Sequence, residues 1–177
     1  MRGYFGIGVW RFSKVMNAGN LFRTAHAFGA SFVFTIDATY KVRKAKSDTS
    51  AAPRNIPWYD FDAPEDFHMP EDCKLVGVEL TDDAIDLPRF HHPQSAAYVL
   101  GPERGSLGGD LLERCDHVVR IPTKFCINVA TAGAIVMYDR VMTHGQFGTR
   151  PLTNATPPAP PEAHFHGGPV NRHPGKS

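Results

Sequence analysis

The sequence predicts an α/β fold, a largely parallel sheet with helices on both faces. Three observations carry this. The candidate strands are continuous apolar runs rather than alternating ones, the pattern of strands covered on both sides. They alternate with amphipathic helical stretches, which builds crossover units and hence parallel pairing. The length of 177 residues, with 42% hydrophobic and 21% charged content, is enough for one compact domain with a real core.

In chain order, "YFGIGVW" (4–10) reads as the first strand. A helix over 18–29 follows, with Leu21, Phe22, Ala25 and Phe28 on its apolar face and Arg23 set in the middle. "SFVFTID" (31–37) is the second strand. Residues 38–72 are polar and dotted with proline, with one extended piece at "IPWYDF" (56–61). A loop that long in a compact domain is usually functional. "CKLVGVEL" (73–80), "AAYVLG" (96–101) and "HVVRIP" (117–122) complete the strands. The final helix, 127–144, puts Ile127, Ala130, Thr131, Ala134, Ile135, Tyr138 and Val141 on one stripe. Its first turns, with Ala130, Ala132, Gly133 and Ala134, are thin enough for another backbone to approach closely.

From about residue 152 the chain becomes rich in proline and glycine, so the domain is set at 1–150 and residues 151–177 read as a disordered tail. The tail histidines His164, His166 and His173 read as solvated residues. The N-terminus lacks the pattern of a signal peptide, and no run of eighteen apolar residues occurs, so no membrane span is expected. Cys73, Cys115 and Cys126 are odd in number and widely separated, which argues against a disulfide framework or a zinc site. A reducing cytoplasm is the expected location.

The net charge is only +1, but it is unevenly spread. Residues 1–54 hold nine Lys/Arg against two Asp/Glu, residues 55–116 hold four against fourteen, and residues 117–177 hold six against two. The first block contains "YKVRKAK" (Tyr40 to Lys46), whose Lys41, Arg43, Lys44 and Lys46 beside a tyrosine suit a phosphate backbone with a base to stack on. Taken alone, it reads better as an exposed loop made soluble by lysine than as a phosphate-binding patch.

Three segments carry candidate chemistry. "NAGNLFRTAHAFG" (17–29) sets Arg23 in a helix otherwise suited to packing. "LGPERGSLGGDLL" (100–112) follows a buried strand, where α/β proteins build ligand sites. Its glycines fit neither a Walker loop nor G-x-G-x-x-G, so a tight turn would explain them, but Glu103 and Arg104 at its apex would remain unexplained. "RIPTKFCINVATAGAIVMYDR" (120–140) places Asn128 in the first turn of a helix, where capping would account for it.

In order and spacing, the three segments resemble the motifs of the SpoU branch of the SPOUT methyltransferases: N-x-G-x-x-x-R, then G-x-E-x-x-G, then I-P followed by S-L-N-V and an apolar helix. The resemblance covers about residues 3–145. It implies a SPOUT fold whose C-terminal part threads a loop as a deep trefoil knot, and a minimal member without an appended RNA-binding domain. It implies an S-adenosylmethionine-dependent RNA ribose 2′-O-methyltransferase, working as a homodimer that shares each active site between subunits. The cofactor would lie among loops around Val78 and Glu79, Leu100 and Gly101, and Ile121 with Cys126 and Ile127. Arg23 matches the motif arginine. Guanidinium stays protonated at any working pH, so Arg23 is expected to stabilise the developing alkoxide while a phosphate oxygen or water accepts the proton. Asn17 and Asn128 match the motif asparagines and would orient ribose or cofactor, and Glu103 matches the carboxylate, with loop anchoring ranked ahead of proton transfer. No metal is required, because a sulfonium already makes its methyl electrophilic. Cys126 stands where the family usually has serine, and a thiol is the weaker donor.

The RNA would be gripped by the basic loop with Arg11 and Lys14, and a tRNA, in its anticodon loop, is expected ahead of ribosomal RNA. The alternative is a non-catalytic RNA-binding module that kept the knotted fold. A different nucleotide-binding α/β enzyme would need a phosphate loop, and none is found.

Overall fold

The computed structural model describes residues 3–12, 14–38, 56–102 and 104–145. The basic run with Lys41, Arg43, Lys44 and Lys46, the motif residue Glu103 and the tail lie outside the described residues.

Seven strands form one sheet: β1 (Tyr4–Trp10), β2 (Phe32–Ile36), β3 (Trp58–Phe61), β4 (Lys74–Val78), β5 (Ile85–Asp86), β6 (Ser95–Leu100) and β7 (His117–Arg120). Their order is β3-β2-β1-β6-β4-β7-β5, and every pairing is parallel. Among the described residues three α-helices accompany them: α1 (Val15–Ala27), α2 (Gly109–Glu113) and α3 (Val129–His144). The α/β expectation therefore holds, with the trace differing at the ends of elements. α1 begins three residues before the predicted start, so Asn17 lies inside the helix, and Lys14 at its N-cap makes no side-chain capping bond. The extended piece at 56–61 becomes the edge strand β3. The two-residue β5 is too short to leave a periodic signal.

The continuous apolar runs follow from double burial. Phe5, Ile7 and Val9 of β1 face a core shared with Leu21, Phe22 and Ala25 of α1 and with Val136 and Met137 of α3. On the opposite face Phe32, Phe34 and Ile36 of β2 pack with Ala97, Val99, Phe67 and Leu111 of α2. Between the Phe5, Ile7 and Val9 positions, β1 carries Gly6 and Gly8. A Cβ at either would overlap the Phe32 or Phe34 ring lying across the sheet, so these glycines make room for the stacked pair.

α3 corrects the predicted stripe. The residues it buries are Val129, Gly133, Val136, Met137 and Arg140, whereas Thr131, Ile135 and Tyr138 of the predicted stripe are exposed. The helix has apolar residues on two faces, and periodicity alone could not say which one the chain's own core would cover. The thin first turns admit a side chain rather than another backbone: a Cβ at Gly133 would overlap the Leu21 side chain, so α1 and α3 meet closely there.

A buried polar cluster fixes the far half of α3. Arg140, 1% exposed, donates to the carbonyls of Pro93 (2.6 Å) and Gln94 (2.8 Å) and to the Tyr98 hydroxyl (3.1 Å). His92, fully buried, bridges the Tyr98 hydroxyl (2.6 Å) and Asp139 (3.0 Å). Burial pushes the Tyr98 hydroxyl up to about 12. Burial also pulls His92 below its usual 6.5, outweighing the carboxylate of Asp139, with Arg140 and His144 acting in the same direction as burial. His144 is lowered for the same leading reason.

Gly8→Ala forces a methyl against the Phe34 ring and backbone, and is expected to destabilise by about 1–3 kcal/mol in urea unfolding. For His92, the unfolded chain takes up a proton before the folded one does. Its contribution is therefore complete above pH 6.5 and lost as pH falls through that value. The urea midpoint should drop between pH 7.5 and 5.5, and His92→Gln should flatten that drop.

Candidate active site

The carboxyl ends of parallel strands leave open crevices where ligands bind. Here the segments leaving β4, β6 and β7, with the start of α3, enclose a pocket of about 170 Å³. All seven residues expected at the cofactor line it: Val78, Glu79, Leu100, Gly101, Ile121, Cys126 and Ile127. They come from three strand ends far apart in sequence, and the sheet order places β6, β4 and β7 side by side.

The walls are largely apolar, and the polar groups near them are mostly committed. Glu79 is expected at the cofactor, yet its carboxylate is spent on backbone amides. One oxygen accepts from Leu80 N (2.9 Å) and the other from Leu107 N (2.8 Å). It therefore staples the loop after β4 to the loop after β6. A Cβ at Gly101 would sit 3.1 Å from that carboxylate and 3.2 Å from Leu107 N, so glycine keeps the wall clear where the two loops meet. Arg120 is held by Asp86 (2.7 Å) and the Thr81 carbonyl (3.2 Å), and the Arg120 guanidinium holds Asp86 below the usual carboxylate range. The Thr123 hydroxyl lies against the carbonyls of Ile121 (3.3 Å) and Phe125 (2.9 Å), which fixes the turn into α3. Such a site suits a ligand with a flat apolar body and polar edges that meet backbone groups.

The remaining predicted residues fall elsewhere. Asn128 caps α3: its Oδ1 accepts from Ala130 N (2.9 Å) and Thr131 N (3.3 Å), and its Nδ2 donates to Asn17 Oδ1 (3.1 Å). The two motif asparagines thus bind each other and join the starts of α1 and α3. Neither lines the pocket, although Ile127 and Val129 beside Asn128 do. Arg23 is exposed on α1, lies outside the pocket lining, and makes no hydrogen bond or ion pair among the described residues. Lys14 is exposed at the head of α1. Arg11 lines a neighbouring groove. Arg120, Thr123 and Ala132 are among the seven lining residues that sequence reasoning missed. The position of Arg120 at the end of a buried strand is the one signal that could have found it. Cys126 is exposed and lines the pocket as a free thiol.

The sequence profile of the SpoU rRNA Methylase family matches residues 5–138. Mouse tRNA (guanosine(18)-2′-O)-methyltransferase TARBP1 is 26% identical over 136 residues, which are 71% of this chain and 8% of that protein. The AdoMet complex of the SpoU methyltransferase AviRb from Streptomyces viridochromogenes superposes with a TM-score of 0.73 at 22% identity, covering 81% of this chain and 59% of that one. The AdoMet-bound rRNA methyltransferase from Sinorhizobium meliloti gives 0.72 at 21%, covering 80% and 57%. A structure concerned with the 2-OH methylation of C/U34 on tRNA gives 0.69 at 19%, covering 80% and 91%. The chain thus spans a small part of the mouse protein and less than two thirds of the first two of these structures. At these identities the structural likeness speaks for the fold. The profile match runs from β1 into α3 and takes in the first two motif segments, the third as far as Tyr138, and the whole pocket, and on that match the chain belongs to the SpoU rRNA methylase family.

Proposed function

We propose that the protein is an S-adenosylmethionine-dependent RNA ribose 2′-O-methyltransferase. One observation carries the reading: the seven residues that the family motifs assign to the cofactor converge on one pocket at the carboxyl ends of β4, β6 and β7. The pocket's apolar walls and the space left at Gly101 fit an adenosyl group, with backbone groups of the three loops available to its polar edges. When bound, the cofactor supplies an electrophilic methyl on its sulfonium. Glu79 acts by holding two of the loops in register, and Thr123 by fixing the third. The family's trefoil knot belongs to the same reading, supported by the fact that these loops form the pocket.

Arg23 does not reach the pocket of its own chain. We assign it to the pocket of a second copy. Met16 on α1 and Ile135 and Tyr138 on α3 are exposed apolar residues on the two helices that the family pairs in its homodimer. Arg23 of the partner subunit would then stabilise the developing alkoxide, and a phosphate oxygen or water would take the proton. Asn17 and Asn128 set the angle between the two helices. Glu103, Lys41, Arg43, Lys44 and Lys46 keep the loop-anchoring and RNA-gripping roles assigned from the motifs and the charge. A tRNA is the favoured substrate. The mouse relative is a tRNA methyltransferase by name, and the structure whose length this chain nearly matches concerns C/U34 on tRNA. The rival reading, a non-catalytic RNA-binding module, draws on the distance of Arg23 from its own pocket. It requires RNA binding that ignores cofactor and survives loss of Arg23.

Transfer of labelled methyl from S-adenosylmethionine to unmodified tRNA, read as 2′-O-methylnucleoside by mass spectrometry, tests the main reading. Arg23→Ala should lower turnover by about 10²–10³, and Arg23→Lys should not restore it, because the planar fork is lost. Co-expressing Arg23→Ala with Gly101→Val chains, each inactive alone, should regain turnover in mixed dimers; no regain would remove the shared site. Glu79→Ala should weaken S-adenosylmethionine binding about tenfold by calorimetry, since two backbone amides lose their acceptor. Glu79→Gln, which keeps one acceptor oxygen, should fall between.

A further inference from the structure

Beside the cofactor pocket, and sharing Pro102 and Gly105 with it, lies a second groove of about 550 Å³, lined also by Trp10, Arg11, Asp37, Arg104 and Ser106. It opens at the ends of β1, β2 and β6. Chain order reverses there: from β1 the chain proceeds to β2 on one side, and from β6 to β7 on the other. That reversal is where open parallel sheets hold ligands.

The residues at the groove are fixed in an unusual way. Arg11 and Asp37 follow the register pair Trp10 and Ile36 on adjacent strands. Both adopt positive φ, 46° and 49°, which non-glycine residues rarely do. The Arg11 Nε donates to Asp37 at 2.6 Å, and its guanidinium lies over the Trp10 ring at 4.7 Å. Trp10 is 7% exposed and packs on Gly108, where a Cβ would come within 2.9 Å of the ring, so the floor is rigid. A guanidinium held by one edge and one face still has its terminal nitrogens to offer, in the forked geometry that matches a phosphate. Arg104, reaching the groove from the loop after β6, makes no hydrogen bond or ion pair among the described residues.

The other side of the Trp10–Arg11–Asp37 ridge is different. A groove of about 380 Å³ there is lined by Asp62, Glu65 and Asp110 along with Arg11 and Asp37. The charged residues lining the first groove sum to +1 and those of the second to −3. A polyanion is therefore attracted to one side of the ridge and repelled from the other.

We propose that the first groove seats a phosphodiester of the RNA next to the ribose being methylated, with Arg11 and Arg104 as its contacts and Asp37 as the residue that positions Arg11. The proposal rests on the methyltransferase reading and adds the path of the RNA strand: from the cofactor pocket across Pro102 and Gly105, and away from the acidic side.

The test uses the full chain saturated with S-adenosylhomocysteine, titrated with uridine 3′,5′-bisphosphate while the Trp10 indole N–H resonance is followed by NMR. The bisphosphate should bind and shift that resonance, with uridine and inorganic phosphate each at least tenfold weaker. Arg11→Ala and Arg104→Ala should each weaken the bisphosphate at least tenfold and leave S-adenosylhomocysteine affinity unchanged. Asp37→Asn keeps an acceptor and tolerates the left-handed backbone, so it should retain binding within threefold, whereas Asp37→Ala should match the loss in Arg11→Ala. Uridine binding as tightly as the bisphosphate would make this a base-stacking site and overturn the proposal. Inorganic phosphate binding as tightly would make it a free-anion site, with the same consequence. Affinity insensitive to both arginine variants would also overturn it. If S-adenosylhomocysteine binds and the bisphosphate does not, the groove assignment falls alone; if S-adenosylhomocysteine fails to bind the wild-type chain, the methyltransferase reading falls with it.

Discussion

The close seating of α1 against α3 positions everything at the carboxyl end of the sheet. It depends on a missing side chain: Gly133 leaves the space that Leu21 fills, and both lie in the same buried core as Ile7 of β1. The Asn17–Asn128 bond closes the same junction at its polar end, 111 residues apart in sequence. Because Asn128 also caps α3, the direction of that helix, the wall of the pocket at Ile127 and Val129, and the start of α1 are tied to one point. A shift in this contact would be felt at the pocket without touching any lining residue.

The other end of α3 is held by a different kind of force. Arg140 carries a charge into an almost fully buried position, which is tolerable because two backbone carbonyls and a tyrosine hydroxyl receive its protons and the rings of Phe5 and Tyr98 lie beside it. Directional bonds of this kind set the helix at one angle, where apolar packing alone would tolerate several. One end of α3 is thus fixed by close contact and a cap, the other by a buried cation, and the face with Ile135 and Tyr138 is left exposed between them.

Charged groups around the two crevices share a pattern. Glu79 is committed to two amides, Arg120 to Asp86, and Arg11 to Asp37 and Trp10. Most act by holding a loop or another side chain rather than by presenting free charge. That is the arrangement preorganisation requires, since a fixed group costs little reorganisation when a ligand arrives. Arg23 is the contrast. It is exposed and makes no hydrogen bond or ion pair among the described residues.

The sequence by itself determined the layer architecture and five of the seven strands with closely matching ends, and the family resemblance of its motif segments pointed to seven of the residues that line the pocket. It could do so because double burial forces unbroken apolar runs and because the motif segments sit at strand ends, where a parallel sheet must place its crevice. It did not determine which face of α3 is buried. Apolar residues lie on two faces of that helix, and the buried face is the one where Leu21 meets Gly133. Nor did it show that Glu79 is a staple, that Asn17 and Asn128 bind each other, or that Arg23 lies off its own pocket. Each of these is a distance between residues remote in the chain. Local pattern carries no information about such distances until the sheet order has brought the strand ends together.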